Sequence, residues 1–271
     1  MKRSQAWLSE ELALRPEPST ILEEAGYLNG FKSVAGLDEA GRGPWAGPVV
    51  AAAVLLPRGM IHAGIRDSKL LTAKRREELA GWIKQQAISW AVGVVGPEEI
   101  DRINILKASL LAMGVAARQI EPSPDLLLID GTHTIPLQFL KATGERQQAL
   151  GREAALLPNA SCLVSALPAQ RAIKKGDRLC HSIAAASIIA KVARDKLMME
   201  YDKLYPEYGF ARHKGYGSPA HADALSRFGP SPIHRRSFKP VRDCKPVALS
   251  KEAVSSQQTL TLALSLRERV G

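Results

Sequence analysis

Two adjacent carboxylates, Asp38 and Glu39, close the short apolar run Val34-Ala35-Gly36-Leu37, and Gly41-Arg42-Gly43-Pro44 follows at once. Glycines let a backbone turn sharply and approach a ligand closely. Paired acids beside Gly-Arg-Gly therefore suit a divalent cation held next to a phosphate. The same residues also suit a charged turn that merely ends a strand. A third acid, Asp130, ends Asp125-Leu126-Leu127-Leu128-Ile129 and precedes Gly131. Open α/β sheets place ligand-binding groups at such strand ends, although Asp-Gly is also a common turn. A fourth acid, Asp177, sits beside Lys174, Lys175 and Gly176.

Strands and helices must bring these groups together. A second apolar run, Val49 to Leu56, makes the first stretch read as strand, glycine-rich turn, strand. Side chains alternate along a strand. Asp38 and Glu39 can thus share a site only if Glu39 lies at or past the strand end. Thr72 suits the N-cap of a helix over Ala73–Gln86, with Leu79, Trp82 and Ile83 at helical spacing. Lys69 lies in the loop before it and reads first as a surface lysine, although it could reach a phosphate. Ile88–Val95 is a third apolar run, closed by Gly96-Pro97. One helix is expected from Glu98 to Gln119, with Asn104 and Lys107 inside it in structural or surface roles. The leucine-rich run before Asp130 reads as a central strand buried on both faces. Residues 132–169 have no clear pattern: Gln138–Leu157 suits a short helix, and Ala160–Leu167 a strand or loop. Helices over Ser182–Asp195 and Pro219–Phe228 complete the pattern.

Bulk properties narrow the partner. The 271 residues carry a net charge of +10, and 45% are hydrophobic, so a substantial core is expected. Residues 171–245 hold 16 Lys+Arg against 7 Asp+Glu. A basic C-terminal third favours a polyanion, with nucleic acid ahead of an anionic membrane. There, Tyr205, Tyr208, Phe210, Arg212, His213, Lys214 and Tyr216 interleave rings with cations, as a backbone-tracking surface would. Lys191 and Arg194 could face a phosphate backbone from the preceding helix. Cys162, Cys180 and Cys244 lack metal-ligand spacing, which predicts reduced thiols and a cytoplasmic protein. No apolar run approaches the length of a membrane span, and the N-terminus does not read as a secretory signal.

Together these blocks resemble ribonuclease HII. The resemblance covers residues 30–243 and rests on motifs in a fixed order: Asp38 to Pro44, Asp67-Ser68-Lys69, Asn104-Ile105-Leu106, Ile129-Asp130-Gly131, Lys175-Gly176-Asp177, Ala185 to Lys191, His213-Lys214-Gly215-Tyr216, and His234-Arg235-Arg236-Ser237-Phe238. It implies an RNase H-like α/β fold: a mixed five-stranded sheet flanked by helices, with a helical C-terminal part. The implied division is an N-terminal appendage (1–30), a catalytic domain (31–204), a basic helical part of the same cleft (205–244) and a disordered tail (245–271).

The resemblance further implies a metal-dependent endonuclease. It would cut on the 5′ side of a ribonucleotide, in RNA–DNA hybrids or singly embedded in DNA, leaving a 3′-hydroxyl and a 5′-phosphate. Asp38, Glu39, Asp130 and Asp177 carry over as the acidic quartet for two Mg²⁺ or Mn²⁺ ions, which prefer oxygen ligands. Gly41, Arg42 and Gly43 carry over as the turn that reads the 2′-hydroxyl, and Tyr216 as the ring that senses the RNA–DNA junction. Lys69, Lys191, Arg212 and Lys214 are the expected phosphate contacts. The family has a shorter connection between its third and fourth acids; here the excess lies around residues 138–167. In the tail, Gln258-Thr259-Leu260-Thr261-Leu262 is similar to peptides that dock on sliding clamps. A monomer suffices for this chemistry.

Overall fold

The computed structural model describes residues 17–141 and 167–245. Strands β1 (Val34–Ala40), β2 (Val49–Leu55), β3 (Ser89–Val95), β4 (Leu126–Asp130) and β5 (Ala169–Ile173) form one sheet in the order β3-β2-β1-β4-β5. The β3-β2-β1 side is antiparallel, whereas β1, β4 and β5 run parallel. The expected mixed five-stranded α/β sheet is therefore present. The longer helices are α1 (Ile21–Leu28), α2 (Ala73–Gln86), α3 (Pro97–Ile103), α4 (Ile105–Ala117), α5 (His181–Leu204) and α6 (Pro219–Phe228).

Alternation along the strands gives the sheet two buried faces. Ala35, Leu37, Ala51, Ala53, Leu127 and Ile129 pack against Ala112, Met113 and Ala116 of α4. On the other face, Ala52 and Val54 meet Leu79 and Ile83 of α2, together with Ala185, Ile188 and Ile189 of α5. Burying each leucine or isoleucine contributes roughly 2 kcal/mol. Small residues let α5 lie close to the sheet. A methyl group at Gly36 of β1 would stand 2.2 Å from the carbonyl carbon of Ser182. Helix α1 packs Leu22 against Val34, Leu126 and Leu128. Its Glu23 carboxylate accepts a hydrogen bond from the Ser182 backbone N–H (2.8 Å) at the start of α5, where the helix dipole favours negative charge.

Three sequence expectations change. The single helix from Glu98 to Gln119 is two helices, α3 and α4, broken at Asn104. Asn104 adopts φ +70°, and its side chain accepts from the Lys107 N–H (3.1 Å), capping α4. Asparagine tolerates this backbone and competes with the helix for hydrogen bonds. Helix α5 extends past Asp195 to Leu204, because Leu197 and Met198 continue its buried face and no proline intervenes before Pro206. Strand β5, at Ala169–Ile173, had no sequence signal. It is an edge strand paired on one side only and largely exposed, so it needs no apolar run. Of the segment Gln138–Leu157, only the start is described, within a helical turn at Leu137–Leu140. Ala160–Leu167 lies outside the described residues except for Leu167. Cys162 and the tail also lie outside them.

Candidate active site

Pairing register brings the acids together. The β1–β4 pairs run from Val34–Leu126 to Leu37–Ile129. The next residues on the two strands are Asp38 and Asp130, which by alternation leave the sheet on the same side, toward α5. Glu39 lies one residue before the end of β1, close to the strand end that a shared site required. Strand β1 continues through Ala40, still paired with β2. What ends at Leu37 is the pairing with β4, so Glu39 can reach the same strand ends from the opposite face. Asp177 arrives from the helical turn Gly176–Leu179 just after β5. The Gly176 N–H donates to the Asp130 carboxylate (2.6 Å), tying that turn to the end of β4.

Electrostatics follow from this crowding. Asp38 is only 4% exposed. Burial, then the charges of Glu39 and Asp130, push its pKa well above the ordinary carboxylate value, against hydrogen bonds from Ser187 and the Glu39 N–H. Burial also raises Glu39, although Arg42 opposes this from 3.1 Å. Asp130 is raised by burial and by Asp177. Lys69 stands 3.6 Å from Asp177 and 3.9 Å from Asp67. Burial works against its charge, but Asp67, Asp177 and Asp38 outweigh it, and its pKa lies above the usual lysine value.

This is an oxygen-only donor set whose negative charge Arg42 and Lys69 offset only in part, which fits hard divalent cations. Among the described residues, no three side chains already converge as a metal cage. Glu39 is turned onto Arg42 and Asp177 onto Lys69.

The glycine turn forms the neighbouring wall. Gly41 has φ +96°, and a methyl group there would stand 2.0 Å from Nε of Arg194, so glycine is required. A methyl group at Gly43 would lie 3.7 Å from the Tyr216 ring, which is itself exposed. The Trp45 N–H donates to the Gly215 carbonyl (2.8 Å), joining the two segments. Arg212 is exposed beside them, whereas the Lys214 ammonium donates to the Ala211 carbonyl (2.6 Å). Lys191 lies elsewhere along α5, ion-paired with Asp195 at 2.7 Å. Arg194 faces no phosphate: it is fully buried.

The sequence reading gave no site role to several residues. Asp67 is buried and accepts from Lys69 N–H (3.0 Å) and Arg178 (3.3 Å), holding the Lys69 turn. Its place in Asp67-Ser68-Lys69 was a usable signal. Histidines hold the Tyr216 segment. His221 Nδ1 lies 2.9 Å from the Tyr216 carbonyl, which can only accept, so that nitrogen carries the proton. His221 Nε2 then accepts from His234 Nε2–H at 2.9 Å, and His234 Nδ1 accepts from the Ser231 N–H at 3.0 Å.

Comparisons with known proteins identify the family. The ribonuclease HII family model matches residues 35–241. The chain belongs to the ribonuclease HII family. Ribonuclease HII of Geobacter sulfurreducens is 48% identical over 229 residues, covering 84% of this chain and 92% of that protein. The crystal structure of ribonuclease H2 from Pyrococcus horikoshii superposes with a TM-score of 0.58 at 28% identity, covering 78% of this chain and 96% of that one. RNase HII of Archaeoglobus fulgidus, solved in a complex with PCNA, gives 0.55 at 25% identity, with 80% and 98% covered. As a ribonuclease HII, the protein is a type II ribonuclease H, a hydrolase with endonuclease activity that depends on a divalent metal. No described helix is long and apolar enough to cross a membrane.

The histidine chain makes stability pH-dependent. Burial pushes His221 down to about 4 and His234 to about 3. The unfolded chain takes up these protons near 6.5, so the contribution is full above that pH and is lost as pH falls toward the folded values. The raised carboxylates work in the opposite direction in every variant, so the histidine contribution is read as a difference: on going from pH 7 to pH 5 the urea midpoint of the parent is expected to change less favourably than that of His234→Asn. An unchanged pH difference in that variant would exclude His234 as its source.

Proposed function

We propose that the acidic site hydrolyses the phosphodiester on the 5′ side of a ribonucleotide, leaving a 3′-hydroxyl and a 5′-phosphate. The substrates would be RNA–DNA hybrids and duplex DNA with single embedded ribonucleotides, in ribonucleotide removal and primer processing. The observation that carries this is the placement of Asp38 and Asp130 side by side where the pairing of the central strands β1 and β4 ends, next to a glycine turn that meets the Tyr216 ring.

Asp38, Glu39, Asp130 and Asp177 would hold two Mg²⁺ or Mn²⁺ ions. When bound, these would activate a water nucleophile and offset charge on the leaving oxygen. Asp38, buried and within the field of both Glu39 and Asp130, would be one of the carboxylates that hold them. Lys69 would hold a phosphate oxygen near Asp177, and Arg42, released from Glu39, could take a neighbouring one. Arg212 and Lys214 would follow the backbone, contacts that position without specifying. Lys191 remains a phosphate candidate only if it leaves Asp195. Gly41, Arg42 and Gly43 would approach the 2′-hydroxyl, the group that separates RNA from DNA. With Tyr216 against Gly43, the ring would stack on the sugar or base at the junction. One chain carries all these groups, so a monomer is sufficient. The tail segment Gln258–Leu262, outside the described residues, is the proposed contact for a sliding clamp, by analogy with the Archaeoglobus fulgidus complex with PCNA. Deleting residues 250–271 should abolish such binding, and unchanged binding would sink that contact.

The decisive assay uses three labelled duplexes: all DNA, DNA with one ribonucleotide, and an RNA–DNA hybrid. Each is incubated with Mg²⁺, Mn²⁺ or EDTA, and products are mapped to the nucleotide. Metal-dependent cutting 5′ of the lone ribonucleotide is expected. Tight binding without cutting would instead favour a non-catalytic binding protein. Asp38→Asn and Asp130→Asn should each lower turnover at least about 1000-fold, the scale of lost metal catalysis. Melting temperatures should stay level or rise, because each change removes a repelled charge; unfolding would point to a structural role.

Tyr216→Ala should cost about ten-fold more on the single-ribonucleotide duplex than on the hybrid, the scale of one lost stacking contact. Equal losses on the two substrates would count against junction sensing.

A further inference from the structure

Two arginines, Arg194 of α5 and Arg235 near the C-terminal end, are fully buried beneath the glycine turn. Neither is ion-paired or hydrogen-bonded to a carboxylate among the described residues, although Asp195 and Asp101 favour their charges from farther away. They are satisfied by backbone carbonyls instead. Arg194 donates to the carbonyls of Pro48 (3.0 Å), Lys214 (3.0 Å) and Ala46 (3.2 Å). Arg235 donates to Gly47 (2.9 Å), Arg42 (3.0 Å), Gly41 (2.6 Å) and Pro48 (3.1 Å). Burial is a cost for such cations. It brings Arg194 down to about 10 and, with repulsion from Arg194, Arg235 to about 9. Apolar residues could fill this volume without that cost, so the guanidinium forks do something packing would not.

What they do follows from peptide geometry. In a trans peptide the C=O and the next N–H point in opposite directions. Arg235 draws the Gly41 and Arg42 carbonyls inward, so the N–H groups of Arg42 and Gly43 point outward. Both residues are exposed on the cleft side. A planar fork with several donors can hold two successive carbonyls in one orientation, whereas an ammonium on a flexible stem cannot do so to the same degree.

We propose that Arg235 is a positioning residue for ribonucleotide selection. It orients the Gly41–Arg42 and Arg42–Gly43 peptides so that their N–H groups face a ribose hydroxyl, and Arg194 anchors the Lys214–Tyr216 segment to the same loop. This rests on the reading of the Gly41–Gly43 turn as the element that senses the 2′-hydroxyl.

The test is equilibrium binding in EDTA, where neither metal nor cleavage enters. A duplex with one ribonucleotide is compared with the same duplex in all-DNA form, for the parent protein and for Arg235→Lys. The parent should prefer the ribonucleotide. In Arg235→Lys the preference should fall about ten-fold, the scale of one or two net hydrogen bonds, with all-DNA affinity unchanged. A folded Arg235→Lys protein that keeps the parent's preference overturns the proposal alone. A parent with no preference overturns the reading of the turn and the proposal with it. Amide hydrogen exchange on the unmodified protein decides the matter if the variant does not fold. The Arg42 and Gly43 amides should gain protection from the ribonucleotide duplex and not from the all-DNA duplex; equal protection by both overturns the proposal.

Discussion

Like charges brought to the C-terminal ends of two central strands repel, and the architecture around the site answers that repulsion. Parallel pairing of β1 with β4 ends at Leu37–Ile129 and leaves Asp38 beside Asp130. Burial then removes the water that would screen them, and their pKa values rise. Partial compensation comes from nearby cations, with Arg42 on Glu39 and Lys69 beside Asp177. A rigid, doubly covered sheet is needed to hold groups that would otherwise separate. The alanine-rich face of α5 and the fully buried strands provide it.

A second constraint concerns the glycine turn. A loop of glycines has little conformational preference of its own. Here its shape is imposed from below by Arg235, which holds the Gly41 and Arg42 carbonyls, with Arg194 holding the Ala46 and Pro48 carbonyls just after it, and from the side by the Trp45–Gly215 hydrogen bond. The same contacts link it to Tyr216, whose carbonyl is held by the His221–His234 chain. The C-terminal part is thereby fastened to the turn rather than resting against the cleft.

Much of the fold and site was legible locally. Apolar runs ending in Asp38-Glu39 and Asp130 placed two strand ends, because buried strands need continuous apolar residues and acids do not stay buried without a reason. The N-cap Thr72 marked a helix start, since its side chain satisfies an otherwise unpaired N–H group. Motif order alone carried the family. Strand β5 and the break at Asn104 were not legible: an edge strand needs no hydrophobic signature, and one left-handed residue leaves helical periodicity on both sides intact.

The sequence by itself therefore determined the chemistry available: carboxylates at strand ends, a glycine turn, and a basic C-terminal third. Only the tertiary structure decided which groups meet. Register put Asp38 level with Asp130, although 91 residues of chain lie between them. It also turned Arg194 away from any phosphate and Arg235 under the turn, because a buried guanidinium must find acceptors and the nearest were the loop's own carbonyls. Residue type announces what a side chain can do, whereas long-range packing fixes what it faces.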